Sequence, residues 1–246
     1  MTHEAFWSHW SWPLATALLA LAFALLVLRQ WRLRRRAHQL AWTAGLLFFS
    51  VAAFLESWSE STGSWNPVVY RVYIVLAASL VGFLGLGTLY LLTRNRIWGH
   101  SYLVFNVVCL AVFAWGAART DLVLEKLVPG ITVGGQALGP GGTFPRVMSL
   151  FFNIPGTILL LGGAVLSAWR FSRKAEFAYR MWANVLIALG TLVIAFVGAR
   201  ARLGETAGLY PAEMAASALL FWGFLLAGTL DRASRRTIGP SGEPAA

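Results

Sequence analysis

Charged residues are scarce in this sequence. They make up 12% of its 246 residues, whereas a soluble domain carries about 25%. Apolar stretches of about 20 residues recur along the whole chain, and each is long enough to cross a hydrocarbon core about 30 Å thick. No stretch remains for a separate soluble domain, so the composition predicts a single integral membrane domain.

Cysteine, lysine and histidine are rare, and each absence excludes a chemistry. Cys109 is the single cysteine, so the chain can form no internal disulfide, and we expect Cys109 to pack as a small apolar residue. The two lysines, Lys126 and Lys174, fall in predicted loops, which excludes a retinal Schiff base in the last helix. No histidine lies deep in a predicted helix, where a haem would need one. The four are His3, His9, His38 and His100.

The familiar catalytic motifs are also missing. There is no Ser-His-Asp set, no pair of intramembrane aspartates and no phosphate-binding loop. The sequence therefore disfavours an enzyme and predicts no metal site and no cofactor. Glycines in the segment 82–87 have a spacing reminiscent of nucleotide-binding fingerprints, but they lie within a predicted membrane helix. There they favour close helix packing.

Seven apolar segments are predicted to form an all-α bundle of transmembrane helices in the cell membrane. They cover about residues 12–30, 38–58, 68–93, 101–118, 146–169, 180–201 and 212–230. Most of the 20 basic residues fall on alternate connections and on the tail. Because cytoplasmic loops are enriched in Lys and Arg, this pattern predicts an N-terminus outside and a C-terminus in the cytoplasm. It also explains the net charge of +10 without a nucleic-acid partner.

The two ends of the chain differ in character. The segment before the first apolar run has no Lys or Arg, and the basic run follows it, so we expect the first segment to remain as a helix rather than act as a signal peptide. Residues 1–231 are predicted to form the seven-helix domain. Residues 232–246, which are rich in Gly, Pro and Ser, are predicted to form a disordered cytoplasmic tail.

The longest predicted outer loop runs from Arg119 to Pro145. Short strand-like runs at 131–133 and 136–138 flank Gly134 and Gly135. This favours a small β-hairpin, because both turn residues can adopt positive φ. Such a hairpin would cover the outer mouth of the bundle as a lid, and a plain surface connector is the alternative.

Polar residues gather near the predicted outer ends of the helices. Membrane helices pack through small side chains, and in five helices the outermost charge lies on the same face as these small residues. Such charges point into the bundle rather than to lipid. The expected cluster consists of Glu56, Arg71, Arg146, Arg202 and Glu213.

Three uncharged residues extend this cluster. Tyr70 and Tyr73 flank Arg71 and bring hydroxyl groups to it. Asn153 lies about two turns deeper than Arg146 and forms a candidate floor. Pro155 follows closely and removes an amide donor, so we expect the fifth helix to bend there.

The cluster has two interpretations. The charges could form an ion-pair network that only joins the helices. Alternatively, they could bind a small ligand entering from the outer face, and three arginines against two glutamates would favour an anion. The second interpretation predicts a binding or sensing module, and a transporter or permeation pathway is the alternative to it.

A non-catalytic partner subunit of another membrane protein also fits the sequence. The topology resembles that of bacterial seven-helix sensor regions that precede a signalling domain, although the chain carries no diagnostic motif of a family. Beyond the lipid bilayer, the predicted partners are therefore a small ligand and another membrane protein.

Overall fold

Seven long helices form the described part of the chain. The computed structural model describes the backbone of residues 3–128, 135–173 and 177–237, and within these ranges the side chains of residues 10–227 except 141 and 202. The helices are α1 (His3–Arg34), α2 (Ala37–Thr62), α3 (Pro67–Leu92), α4 (Arg96–Arg119), α5 (Thr143–Ser172), α6 (Ala178–Arg202) and α7 (Leu209–Thr237). Within the described ranges, seven helices are long and apolar enough to cross a membrane. The predicted seven-helix bundle is confirmed, and the chain is a multipass membrane protein in contact with the bilayer.

Two helix starts follow from capping residues. The Asn66 side chain accepts hydrogen bonds from the amides of Val68 and Val69 at 2.9 and 3.4 Å, and α3 then begins at a proline. The Asn95 side chain caps α4 by accepting from the Ile97 amide at 3.0 Å. The helix α4 therefore begins before the predicted limit near residue 101, because the cap sets the helix start and hydropathy does not.

The helices do not pack in simple chain order. α1 packs on α2, α2 on α3, α3 on α5, α5 on α6, α6 on α7, and α7 on α1, so six helices form a ring. α4 lies outside this ring, against α3 and α5. The connections α2–α3 (63–66), α4–α5 (120–142) and α6–α7 (203–208) share one end of the bundle, called here the capped end.

The closest helix contact joins α3 and α5. A Cβ atom added to Gly85 would lie 2.6 Å from the Cα atom of Gly156, and one added to Gly156 would lie 2.6 Å from the Val81 carbonyl oxygen. Both distances are far below van der Waals contact, so the two backbones touch directly. The prediction that the glycines of segment 82–87 serve helix packing is confirmed.

The apolar core includes the single cysteine. Cys109 is buried in a cluster with Phe113 and Phe152, whose rings lie edge to face with centroids 5.7 Å apart. The expected apolar packing of this thiol is therefore confirmed.

Some predictions lie beyond the described residues. The first strand of the predicted hairpin, with Gly134, falls in the undescribed segment 129–134. Residues 238–246 of the predicted tail are also outside the described part, while the backbone of α7 is described to Thr237. The orientation stays a prediction, in which the capped end is the outer end.

We expect Gly156→Ala to destabilise the protein by about 1–3 kcal/mol, because the added methyl group would have to separate α3 from α5. Gly162→Ala is the matched control, since a Cβ at this position of the same helix meets nothing within 4 Å. Thermal unfolding in detergent measures both variants. Equal melting temperatures for the two would contradict the direct backbone contact.

Candidate functional site

A cavity of about 710 Å³ lies in the half of the bundle next to the capped end. Its walls come from α2, α3, α5 and α6, between the middle of each helix and the capped end, with Phe113 from α4 and Glu213 from α7. Gly135 and Leu138 of the α4–α5 connection also line it. Sites for small molecules usually have volumes of about 300–1,000 Å³, so the cavity is large enough for an organic ligand.

The cavity collects most of the predicted site residues. Five of them line it: Glu56 from α2, Tyr73 from α3, Arg146 and Asn153 from α5, and Glu213 from α7. They are far apart in sequence, and the helix ring brings them to a common space. The remaining three predicted residues are Tyr70, Arg71 and Arg202.

Two buried carboxylates on α2 accept hydrogen bonds from tyrosines. The Tyr73 hydroxyl donates to Glu56 Oε1 at 2.8 Å, and Glu56 is only 2% exposed. One turn further, Glu60 Oε1 accepts from the Tyr210 hydroxyl at 2.6 Å, which joins α2 to α7. Such bonds offset part of the cost of burying an acidic group.

Glu213 differs from these two acids. It lines the cavity from the first turns of α7, and no described residue donates a hydrogen bond or forms an ion pair with its carboxylate. Its carboxylate oxygens are therefore open to a ligand in the cavity.

The arginines of the capped end are held by backbone carbonyls. Arg146 Nε and Nη2 donate to the Gly135 oxygen at 3.2 and 3.0 Å, and Nη2 also donates to the Leu138 oxygen at 2.9 Å. Arg71 Nη1 donates to the carbonyl oxygens of Ala117 and Thr120, the latter at 2.8 Å. The Arg146 guanidinium thus binds the α4–α5 connection to α5, and the Arg71 guanidinium binds the C-terminal end of α4 to α3.

The expectation that Arg71 and Tyr70 belong to the cluster needs correction, since neither lines the cavity. Because α4 packs outside the ring against α3, Arg71 meets the unsatisfied carbonyls at the C-terminal end of α4, which attract a cation. Tyr70 is fully buried, and its hydroxyl accepts a hydrogen bond from the Ala137 amide at 3.3 Å. Both residues anchor the α4–α5 connection.

Four of the five charges of the predicted cluster belong to described side chains, and these four do not pair with one another. Among described side chains, Glu56, Arg71, Arg146 and Glu213 make no ion pair with one another. The described ion pair, Arg200 with Glu205 at 2.8 Å, is exposed in and beside the α6–α7 connection. The side chain of Arg202 lies outside the described part of the chain.

Sequence reasoning missed several residues of this region. Trp65 is buried and packs against Tyr70 and Tyr73, with ring centroids 5.5 and 4.8 Å apart. Glu60 and Tyr210 were likewise not assigned to the site. The four-residue step from Glu56 to Glu60 and the three-residue step from Tyr210 to Glu213 put each pair on one helix face, and this spacing could have identified them.

Comparisons with known proteins give little detail. No family model matches the chain, and no solved structure gives a significant match. A stretch of 137 residues is 24% identical to the inner membrane transport protein YdiM of Escherichia coli (strain K12). This alignment covers 53% of the present chain and 34% of YdiM. The chain therefore matches about a third of the length of that curated relative.

We expect Arg71→Gln to lower the free energy of unfolding by about 1–3 kcal/mol, because it removes the guanidinium bonds to the carbonyl oxygens of Ala117 and Thr120. Arg119→Gln is the control. Arg119 lies at the same end of α4, with Cζ 5.1 Å from the centroid of the Trp115 ring, and no described carbonyl oxygen accepts a hydrogen bond from its guanidinium. Thermal unfolding without ligand separates the two. An unchanged melting temperature for Arg71→Gln would return this arginine to the list of candidate binding residues.

Proposed function

We propose that the protein binds a small organic cation in the cavity and carries it across the membrane. The observation that supports this best is the cavity itself, with the carboxylate of Glu213 facing it from α7 and that of Glu56 from α2. In a medium of low dielectric constant, a carboxylate attracts a cation far more strongly than it does in water. The cavity volume suits a ligand of several carbon atoms rather than a bare ion.

The charge of the lining favours a cation over the anion that the sequence suggested. The prediction of an anion depended on three arginines. Of these, Arg71 points to α4, and Arg146 already donates three hydrogen bonds to backbone carbonyls. The side chain of the third, Arg202, lies outside the described part of the chain. Apart from Glu56, Glu213 and Arg146, the lining is apolar except for five uncharged polar residues: Tyr73, Thr143, Ser149, Asn153 and Thr157.

The transport part of the proposal has separate support. YdiM is an inner membrane transport protein, and the similarity to it favours transport over sensing for this chain. A binding or sensing module is the second candidate function, because the described residues close the cavity at the end opposite the capped end. A ligand that binds in the cavity but is not carried across the membrane would fit the binding or sensing function.

Binding can be tested with two probes of almost equal shape and opposite charge, tetraphenylphosphonium and tetraphenylborate. In nanodiscs we expect the purified protein to bind the cation and not the anion. Glu213→Gln should weaken cation binding about tenfold, a loss of about 1.4 kcal/mol, because the amide keeps the shape and loses the charge.

Glu205→Gln is the matched control for this test, since Glu205 is exposed and paired with Arg200 outside the cavity lining. It should bind the probe like the unmodified protein. Preference for tetraphenylborate, or equal weakening by both substitutions, would refute the cation proposal.

Proteoliposomes separate transport from sensing. Transport predicts that an inside-negative potential drives faster uptake of labelled tetraphenylphosphonium into liposomes that contain the protein than into liposomes that contain Glu213→Gln. Because this cation also crosses lipid alone, the variant sets the baseline. If the protein binds the probe but the two rates are equal, the binding or sensing function replaces the transport proposal.

A further inference from the structure

The cavity has buried walls on one side and exposed walls on the other. Most of its lining residues on α2 and α3, such as Ala52 and Ile74, are almost fully buried, and none of them is exposed. Four lining residues of α5 are instead exposed by 38–65%: Val147, Leu150, Ile154 and Ile158. Steps of three and four residues place them on one face of the helix. This face of α5 is therefore both a wall of the cavity and part of the outer surface.

The facing wall on α6 is made of small residues. Ala195, Gly198 and Ala199 line the cavity, and a Cβ atom added to Gly198 would meet nothing within 4 Å. Of the candidate spans in the described ranges, α6 has the smallest buried share, 17% of its apolar window. In the half of the bundle next to the capped end, α5 and α6 thus leave open space between them.

Described residues obstruct two other routes into the cavity. At the capped end, the α4–α5 connection is held by bonds from the Val123 amide to the Ala137 oxygen at 2.9 Å and from the Gly139 amide to the Asp121 oxygen at 2.8 Å. Gln136 Nε2 extends this roof to α6. On the opposite side, the buried cluster of Leu46, Leu80, Leu84 and Leu160 fills the bundle.

We propose that the ligand enters sideways from the lipid, between α5 and α6, in the leaflet at the capped end. Within a membrane span, the exposed face of α5 meets acyl chains and not water. A molecule on this path must dissolve in lipid, and its charged group must then reach Glu213. The ligand class is therefore an amphipathic cation, with its apolar part along Ile154 and Ile158.

The positive charge of the ligand rests on the proposed function. The opening between α5 and α6 does not depend on that proposal. The first test measures the opening alone. In a Cys109→Ala background, Gly198→Cys carries a nitroxide spin label in nanodiscs, and its relaxation is measured with oxygen, which concentrates in lipid, and with a nickel chelate, which stays in water. Ala195→Cys, on the same wall, is the second position if the first variant folds poorly.

A lateral opening predicts that the label at Gly198 has a high ratio of oxygen to nickel accessibility. The ratio should be close to that of Gly162→Cys, a position on α5 where an added Cβ meets open space. It should far exceed that of Leu203→Cys, which is 81% exposed in the α6–α7 connection. A ratio like that of Leu203 would show an aqueous cavity, and low accessibility to both reagents would show a closed or covered face. Either result overturns the proposal.

A pair of neighbouring substitutions locates the path. Ile154→Trp fills the rim of the cavity and should reduce oxygen accessibility at position 198. Phe151→Trp is the control, since Phe151 is similarly exposed on α5 but does not line the cavity. If Phe151→Trp and Ile154→Trp changed the oxygen accessibility at position 198 equally, the result would contradict entry between α5 and α6.

The ligand class is tested by competition against bound tetraphenylphosphonium. Decyltrimethylammonium should displace the probe, and tetramethylammonium, which has the same head group without the chain, should not do so at the same aqueous concentration. Equal displacement by both would overturn lateral entry. If the probe does not bind at all while the label at Gly198 keeps its high ratio, the cation proposal fails and the lateral opening stands.

Discussion

The backbone contact between Gly85 and Gly156 fixes the distance between α3 and α5, and the cavity depends on it. Lipid supplies no hydrophobic force that would press two apolar helices together, so they associate through close packing, which requires small residues at the contact. All cavity-lining residues of α3 precede Gly85. On α3 the cavity therefore lies on the capped-end side of the point where the two backbones touch, and on α5 it reaches only to Ile158, two residues past Gly156.

The polar groups at the capped end divide into two kinds. The guanidinium groups of Arg71 and Arg146 donate to backbone carbonyls and hold the α4–α5 connection in place. Arginine suits this role because it offers several donors and keeps its charge in an apolar setting. The carboxylates of Glu56 and Glu213 are left on the cavity wall. The mixture of charges suggested a positive site in the sequence, whereas the described lining holds Glu56 and Glu213 together with Arg146, whose guanidinium donates to backbone carbonyls.

Hydropathy predicted the number of helices and their approximate limits, because length and apolarity are the properties that a bilayer selects. It could not give the helix starts, which Asn66 and Asn95 set by capping. The rule that charges on small-residue faces point into the bundle grouped Glu56, Arg146 and Glu213, with Asn153 below them, and all four line one cavity. The same rule did not predict the contact of Arg71 with α4, because the residues on one face of a helix do not specify which helix packs against that face.

The sequence alone determined seven membrane spans and the small-residue faces along which α3 and α5 pack, since both are local consequences of composition and of the helical period. Only the tertiary structure decided that α4 lies outside the ring and that α3 meets α5. That choice depends on contacts between residues far apart in the chain, such as Gly85 with Gly156. It turned the charge of Arg71 toward α4, put the carboxylates of Glu56 and Glu213 around a common cavity, and left one face of α5 both lining that cavity and exposed.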